Sequence, residues 1–327
     1  MGIKLVRFED QGTNKWGVVD GENVKVLNNS SKTLAEFLEN GQAEAREAVG
    51  NDTLQTVAFS EITLLSPVTK PAKIICQGAN YSTHREEAGM EAKRPPFNMI
   101  FDKANSSLAG AYDTVVSPEH VKLLDYEIEL GLVIGKDITE ETAVTDDNLH
   151  EYLAGIVIAN DVSARDVQLV QGQWLKGKSY RTFCPTGPYL YLLDKEDIPN
   201  IHNLELKLWV NDEIRQEANT EQLLFKPAET IAELSGVMDF DTGDMILSGT
   251  TGGVALNLTP ELLATVSNPT IDANHRLEVL VEAQSKSGRY LKDGDVIRAS
   301  IKSPDGKIDL GEQKNKVQAP ALVSSKA

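Results

Sequence analysis

Two glutamates stand two residues apart at the head of the apolar run Leu124-Asp125-Tyr126-Glu127-Ile128-Glu129-Leu130-Gly131-Leu132-Val133-Ile134. Side chains at i and i+2 share one face of a strand, so Glu127 and Glu129 point into one space while Ile128, Leu130 and Leu132 pack on the other side. Two converging carboxylates repel unless a cation lies between them. A second apolar run, Gly155-Ile156-Val157-Ile158-Ala159-Asn160, leads into Asp161, which would project from the strand end as a third oxygen ligand, with Ser163 placed to cap the helix that follows. No matching set of His or Cys accompanies the three acids, and oxygen ligation suits Mg²⁺ or Mn²⁺ with positions left for water or substrate. A solvated strand face is the competing reading of a lone Glu-x-Glu, and the third acid weighs against it.

Other groups of chemical interest flank these acids. His84 and Glu87 stand at i and i+3 of a short helical segment, a spacing that lets a carboxylate orient and polarise an imidazole for activating water. Arg165 and Gln168 lie about one helical turn apart and can hold a substrate carboxylate or a water, although Arg165 can equally pair with Asp166 or Glu129. Tyr81 and Thr250 are candidate hydrogen donors to substrate; the alternatives are packing for Tyr81 and shaping a glycine turn for Thr250. The stretch Gly172-Gln173-Trp174-Leu175-Lys176-Gly177-Lys178-Ser179 matches the phosphate-loop pattern. A phosphate cradle needs a buried strand before it and a helix after it, whereas here a polar helix precedes and Pro185, Gly187 and Pro188 soon follow, so nucleotide binding is rejected.

The elements that must position these groups divide into two parts. Short strand-like runs at Lys4 to Phe8, Trp16 to Val19 and Val24 to Leu27, with a helix from Leu34 to Glu39 that Ser31 or Thr33 can cap, predict a small N-terminal α/β domain over residues 1–66. Pro67 and Pro71 stiffen the linker into a second domain over 67–327. There the strand-like runs at 73–76, 127–134, 155–159, 204–210, 245–247 and 296–301 outnumber helices expected at 82–89, 147–153, 164–170 and 228–237. Irregularly spaced strands with few helices predict an α+β, mainly β fold rather than alternating βαβ units. Gly89 and Pro95-Pro96 supply hinge material after the His84 helix.

Composition bounds the function. With 327 residues, 41% hydrophobic and 25% charged, the chain can bury a sizeable core. No apolar run approaches the ~20 residues of a membrane span, and the N-terminus shows neither a signal core nor a myristoylation motif, so a cytoplasmic location is expected. Cys76 and Cys184 lie far apart and are expected as thiols. A formal charge of −17 argues against nucleic-acid or anionic-membrane partners; an anionic small substrate would need a local cation.

Taken in order, Ile75-Cys76-Gln77-Gly78-Ala79-Asn80-Tyr81 with His84, the block from Asp125 to Leu130, Asn160 to Asp166 with Gln168, Trp174 with Lys178, Pro185-Thr186-Gly187-Pro188, Ser248-Gly249-Thr250 and Lys292-Asp293-Gly294-Asp295-Val296 resemble the fumarylacetoacetate hydrolase family over about residues 73–317. The resemblance implies a barrel-like, β-rich catalytic domain, one Mg²⁺ or Mn²⁺ on Glu127, Glu129 and Asp161, His84 and Glu87 on a closing lid, and Lys178 as a cation for developing enolate charge. It implies an enzyme acting on a small anionic 2-oxo acid, first as a hydrolase of carbon-carbon bonds in acylpyruvate-like or fumarylacetoacetate-like 1,3-diketo acids through a metal-stabilised enolate. The alternatives are an oxaloacetate decarboxylase or a dienedioate isomerase and decarboxylase, with a non-catalytic oxo-acid-binding protein as a third class. A homodimer is expected by the same analogy. Three departures bear on the substrate: Arg181 where an acid is common, which should alter the local charge network, Thr251 where the glycine turn usually has Pro, and a longer insertion at 255–288.

Overall fold

A computed structural model describes residues 2–320. Two runs, now seen as strands Ile128–Ile134 and Leu153–Asn160, pair antiparallel with Leu130 opposite Ile158 and Glu129 opposite Ala159. Both are buried throughout or nearly so, because each face meets a different core: Ile128, Leu130, Leu132, Ile156 and Ile158 on one side, Val133, Val157 and Ala159 on the other. Such double burial is why they read as continuous apolar runs rather than alternating ones. Gly131 is needed at this crossing, since a Cβ there would lie 2.8 Å from Val157 Cγ1.

The pair sits in the middle of a 12-stranded sheet. On one side follow Met245–Leu247, Ile74–Gly78 and Met99–Lys103; on the other follow Cys184–Leu192, Ile3–Asp10, Thr13–Asp20, Asn23–Val26 and Thr56–Ala58. The outermost strands of this path do not pair with each other, so the expected barrel-like core is an open sheet rather than a closed barrel. N-terminal residues join it directly: Ile3, Lys4 and Leu5 pair with Leu192, Tyr191 and Leu190, and the buried faces of Leu5, Leu190 and Leu192 share one core. A second, five-stranded sheet runs Glu213–Asn219, Glu205–Val210, Val296–Lys302, Asp309–Gln318 and Val115–Val116. Gln313, itself buried, fastens it to the first by donating from Nε2 to the carbonyls of Ile158 (2.9 Å) and Pro185 (3.1 Å).

Helices fall close to expectation at Leu34–Asn40, capped by Thr33, and at Ser82–Glu87, Arg165–Gln171 and Pro227–Ser235. The helix expected at 147–153 shrinks to the 3₁₀ turn Leu149–Glu151, because Leu153 already belongs to the central strand. Ser163 does not cap the helix after Asp161; its hydroxyl turns inward and donates to the Asp161 carbonyl at 2.8 Å, and Ala164 occupies the cap position. The 255–288 insertion folds as helices Pro260–Val266 and Ala273–Ser285, each started by a side-chain cap, Thr259 and Asp272. Among the described residues no helix is long and apolar enough to cross a membrane.

Replacing Gln313 with Leu strips both inter-sheet carbonyls of their donor in a site that excludes water. Unfolding in denaturant should show a loss of about 2 kcal/mol, and an unchanged midpoint would show that the two sheets do not depend on this tie.

Candidate metal centre

Glu127, Glu129 and Asp161 converge. Each offers a carboxylate oxygen within 4.8 Å of the others, and all three are buried. The strand pairing brings this about: the Glu127 N–H donates to Asn160 Oδ1 at 2.9 Å and the Asp161 N–H to the Glu127 carbonyl at 2.8 Å, so the head of one strand and the tail of its neighbour are locked in register. Glu129 is held from a third direction, by the Gly249 N–H at 2.7 Å. Gly249 has φ +88°, and a Cβ there would meet Asn80 Cβ at 2.7 Å, so this donor depends on glycine.

Cations occupy the periphery of the triad. Lys178 Nζ bridges Glu127 Oε2 (2.6 Å) and Asp161 Oδ2 (2.7 Å). Arg165 donates to Glu127 Oε1 (2.5 Å), to Asp125 Oδ2 (2.8 Å) and to Gln168 Oε1 (3.0 Å). Neither of the partners considered for Arg165 from sequence, Asp166 and Glu129, is the one it takes; Asp166 accepts the Lys122 N–H instead. Burial alone would raise the Glu127 carboxyl, but Arg165 and then Lys178 outweigh it and hold Glu127 well below the usual carboxylate range. Glu129 behaves oppositely: burial, then Asp161 and Glu127, push it well up. Desolvation opposes the charge on Lys178, yet Asp161 and Glu127 raise it above its ordinary value, so it stays an ammonium.

Two residues that sequence reasoning missed complete the frame. Lys103, at the end of the strand Met99–Lys103, is fully buried and donates to Asp161 Oδ1 at 2.5 Å. A lysine closing a strand ordinarily reads as a surface residue, and no local pattern marks this one. Gln216 reaches in from the second sheet: its Oε1 accepts the Ile128 N–H at 3.0 Å, and its Nε2 donates to Thr250 Oγ1 (2.8 Å) and to the Thr251 carbonyl (3.0 Å). Asp125, quoted only as part of a motif, is a hub that accepts the N–H groups of Tyr126, Ala255 and Leu256 besides Arg165.

The remaining expected site residues are placed as follows. His84, Gln168, Thr250, Arg165, Lys178 and Glu127 line one cavity of about 420 Å³. Thr250 is committed to the frame, donating to the Ile128 carbonyl at 2.8 Å. Tyr81 is not on the cavity wall; it is fully buried, its hydroxyl has no hydrogen-bond partner, and burial with Glu129 nearby raises it. His84 is buried with Nδ1 unpartnered, 3.9 Å from the nearest Glu87 oxygen, while Glu87 accepts the Gly253 N–H through both oxygens at 2.8 and 3.0 Å. The imidazole and the carboxylate thus lie side by side without a hydrogen bond. Arg181 lies exposed. The phosphate-loop pattern runs from the C-cap of the helix Arg165–Gln171 through the whole of the helix Trp174–Lys178, so a helix rather than a strand leads into it.

A hard divalent cation fits this donor set. Four buried carboxylates, Asp125, Glu127, Glu129 and Asp161, face three buried cations, Lys103, Lys178 and Arg165, which leaves one acid in excess. Burial, with Asp161 and Glu127 beside it, raises the Glu129 carboxyl, and positive charge on the triad would oppose that rise. A divalent ion there would balance the excess acid and leave one positive charge over, matched to an anionic ligand.

Fold and site together define an enzyme with an all-carboxylate centre for one divalent cation, set among buried cations at the end of a central strand pair. Residues 73–318 match the family described as Fumarylacetoacetate (FAA) hydrolase C-terminal, and the chain belongs to the fumarylacetoacetate hydrolase family. It is 41% identical over 229 residues to a mitochondrial oxaloacetate tautomerase of Rattus norvegicus, covering 69% of this chain and 71% of the relative. To the mitochondrial oxaloacetate tautomerase of Xenopus laevis it is 35% identical over 316 residues, covering 92% and 88%. Among solved structures, a fumarylacetoacetate hydrolase from Exiguobacterium antarcticum superposes with TM-score 0.74 at 27% identity, covering 97% of this chain and all of that one. A maleylpyruvate hydrolase from Sphingobium sp. SYK-6, in complex with manganese(II) and pyruvate, gives TM-score 0.69 at 25% identity with the same coverage.

Two substitutions probe the centre. Asp161→Asn removes one ligand charge and should weaken Mn²⁺ binding at least tenfold, read by calorimetry; unaltered affinity would place the ion elsewhere. Gln216→Leu leaves Ile128 N–H and the Thr251 carbonyl unpaired, and a thermal melt should show a destabilisation of about 2–3 kcal/mol although the residue touches no ligand.

Proposed function

We infer that the chain interconverts the keto and enol forms of a small anionic 2-oxo acid of the oxaloacetate type, within the non-hydrolytic branch of the chemistry expected from sequence. The observation that carries this reading is the engagement of Glu87. Hydrolysis calls for His84 to be held as a base toward water, and Glu87, the group that would hold it, is bound to the Gly253 N–H instead of to the imidazole. The groups suited to enolate charge, by contrast, are already assembled. The similarity to oxaloacetate tautomerases over 69% of the chain supports the same choice.

A divalent ion on Glu127, Glu129 and Asp161, magnesium or manganese, would supply Lewis-acid polarisation of the 2-oxo acid. Gln168, on the cavity wall and oriented by Arg165, positions the substrate carboxylate. His84, on the cavity wall, takes the proton from the carbon next to the oxo group; the electron pair of that C–H bond forms the new carbon-carbon double bond and the pair of the C=O bond moves onto the oxo oxygen. The Lys178 ammonium, held in place by Glu127 and Asp161, stabilises that oxygen's charge until the proton is returned to it. The buried position of these groups excludes bulk water and strengthens each charge. A homodimer in the cytoplasm belongs to the same proposal, and the named tautomerases are mitochondrial.

Enol absorbance of oxaloacetate, followed with and without the protein in Mg²⁺ or Mn²⁺, tests the reading. Lys178→Met should lower kcat by roughly 10²–10³-fold at full metal occupancy. Glu87→Gln should change it less than tenfold. Metal-loaded protein that leaves the interconversion at its spontaneous rate while splitting an acylpyruvate would overturn the proposal in favour of hydrolysis.

A further inference from the structure

The groups of the enolate chemistry make up only part of the cavity wall. Met90, Phe101, Leu169, Trp174, Leu258 and Leu263 add an apolar part to it, beginning at Phe101, whose ring centre lies 5.5 Å from Lys178 Nζ, and all of these except Leu258 are only half-buried, with apolar surface left uncovered beside an open volume of about 420 Å³. Four separate segments build the wall. Trp174 meets Phe101 edge to face with ring centres 4.9 Å apart, and it fits only because residue 78 is glycine, where a Cβ would stand 2.8 Å from Trp174 Cζ3. Leu258 and Leu263 come from the 255–288 insertion. Its near end is tied to the His84 helix by the Leu258 N–H, which donates to the Glu87 carbonyl at 2.8 Å, and by the Gly253 N–H on the Glu87 carboxylate.

The far end of the insertion is tied down by Arg276. Its Nη1 donates to the carbonyls of Val170 and Val266 at 2.8 Å each and its Nε to that of Ile271 at 3.2 Å. These bonds to neutral carbonyls join two helix ends and fix the place of the Arg276 guanidinium on the cavity wall. A second carboxylate seated directly against the leucine, tryptophan and methionine side chains would lose its hydration without a partner from them. A hydrocarbon tail placed there would instead cover surface that is otherwise wetted. The volume points the same way: it falls in the range of roughly 300–1,000 Å³ that holds a drug-sized ligand, and oxaloacetate would fill only part of it.

Resting on the enolate reading above, we propose that the preferred substrate is a 2-oxo acid carrying an apolar tail of several carbons, seated on the wall that the 255–288 insertion supplies, with Leu258 and Leu263 as specificity-determining residues. N-alkyl oxamates, which present a 2-oxo acid head with a tail of chosen length, test this by calorimetry on the full chain loaded with Mn²⁺. From methyl to hexyl the affinity should rise about fourfold per methylene until the cavity is full, and in Leu263→Asp the gain per methylene should vanish. The gain is a ratio within one protein, so the wild-type series decides even where a variant folds poorly. Tight binding of oxamate itself with a flat or falling series would overturn the tail and leave the enolate reading standing. An undiminished gain in Leu263→Asp would overturn the assignment of the wall. Failure of both oxamate and oxalate to bind the Mn²⁺-loaded protein would overturn the two proposals together.

Discussion

Three carboxylates buried in one space are the constraint around which this protein is organised. Ionised acids in a dry interior repel and lose hydration, and they persist only where opposite charge and donors surround them. Here that surrounding is drawn from every part of the catalytic region: Lys103 from a sheet edge, Lys178 from a short helix, Arg165 from the helix after Asp161, and the Gly249 N–H from a glycine turn. Still one acid is in excess, and a divalent ion is what the arrangement lacks for balance. Binding a metal and holding the fold together are consequently one electrostatic problem in this chain.

The frame around the acids is made of groups that never need to touch a ligand. Gln216 comes from the second sheet and pins both the start of the Glu127 strand and the Thr250 turn. Gln313 joins the same two sheets farther along. Asp125 ties Arg165 to the first residues of the insertion, Ala255 and Leu256. Charge at the centre, the joint between sheets and the entry of the insertion are thereby connected through a few fully buried polar side chains.

Glu87 links chemistry to shape. By accepting the Gly253 N–H it fastens the helix that carries His84 to the insertion that walls the cavity, so the carboxylate that would polarise the imidazole is occupied in positioning the substrate's surroundings. In a chain where enolate charge rather than water activation is the task, that use of Glu87 costs nothing to the reaction, and it places the His84 helix and the apolar wall in one mechanical unit.

Sequence alone determined the parts whose physics is local. The two-residue spacing of Glu127 and Glu129 in an apolar run, and an acid closing the next run, were enough to specify a shared face and a triad, because strand alternation is a property of the backbone itself. The ordered motifs from Ile75 to Val296 carried the family, and the central strands were legible because burial on both faces leaves unbroken apolar runs. Tertiary structure decided what lies between distant segments. The strand Cys184–Leu192 was hidden by Pro185, Gly187 and Pro188, residue types uncommon inside strands, and the buried role of Lys103 by a residue type that belongs on surfaces. The partners of Arg165, the grip of Gln216 and the engagement of Glu87 arise from groups 38 to 166 positions apart in the chain, and pairings of that range are set by which surfaces the packed sheets bring together, a choice no short window of residues contains.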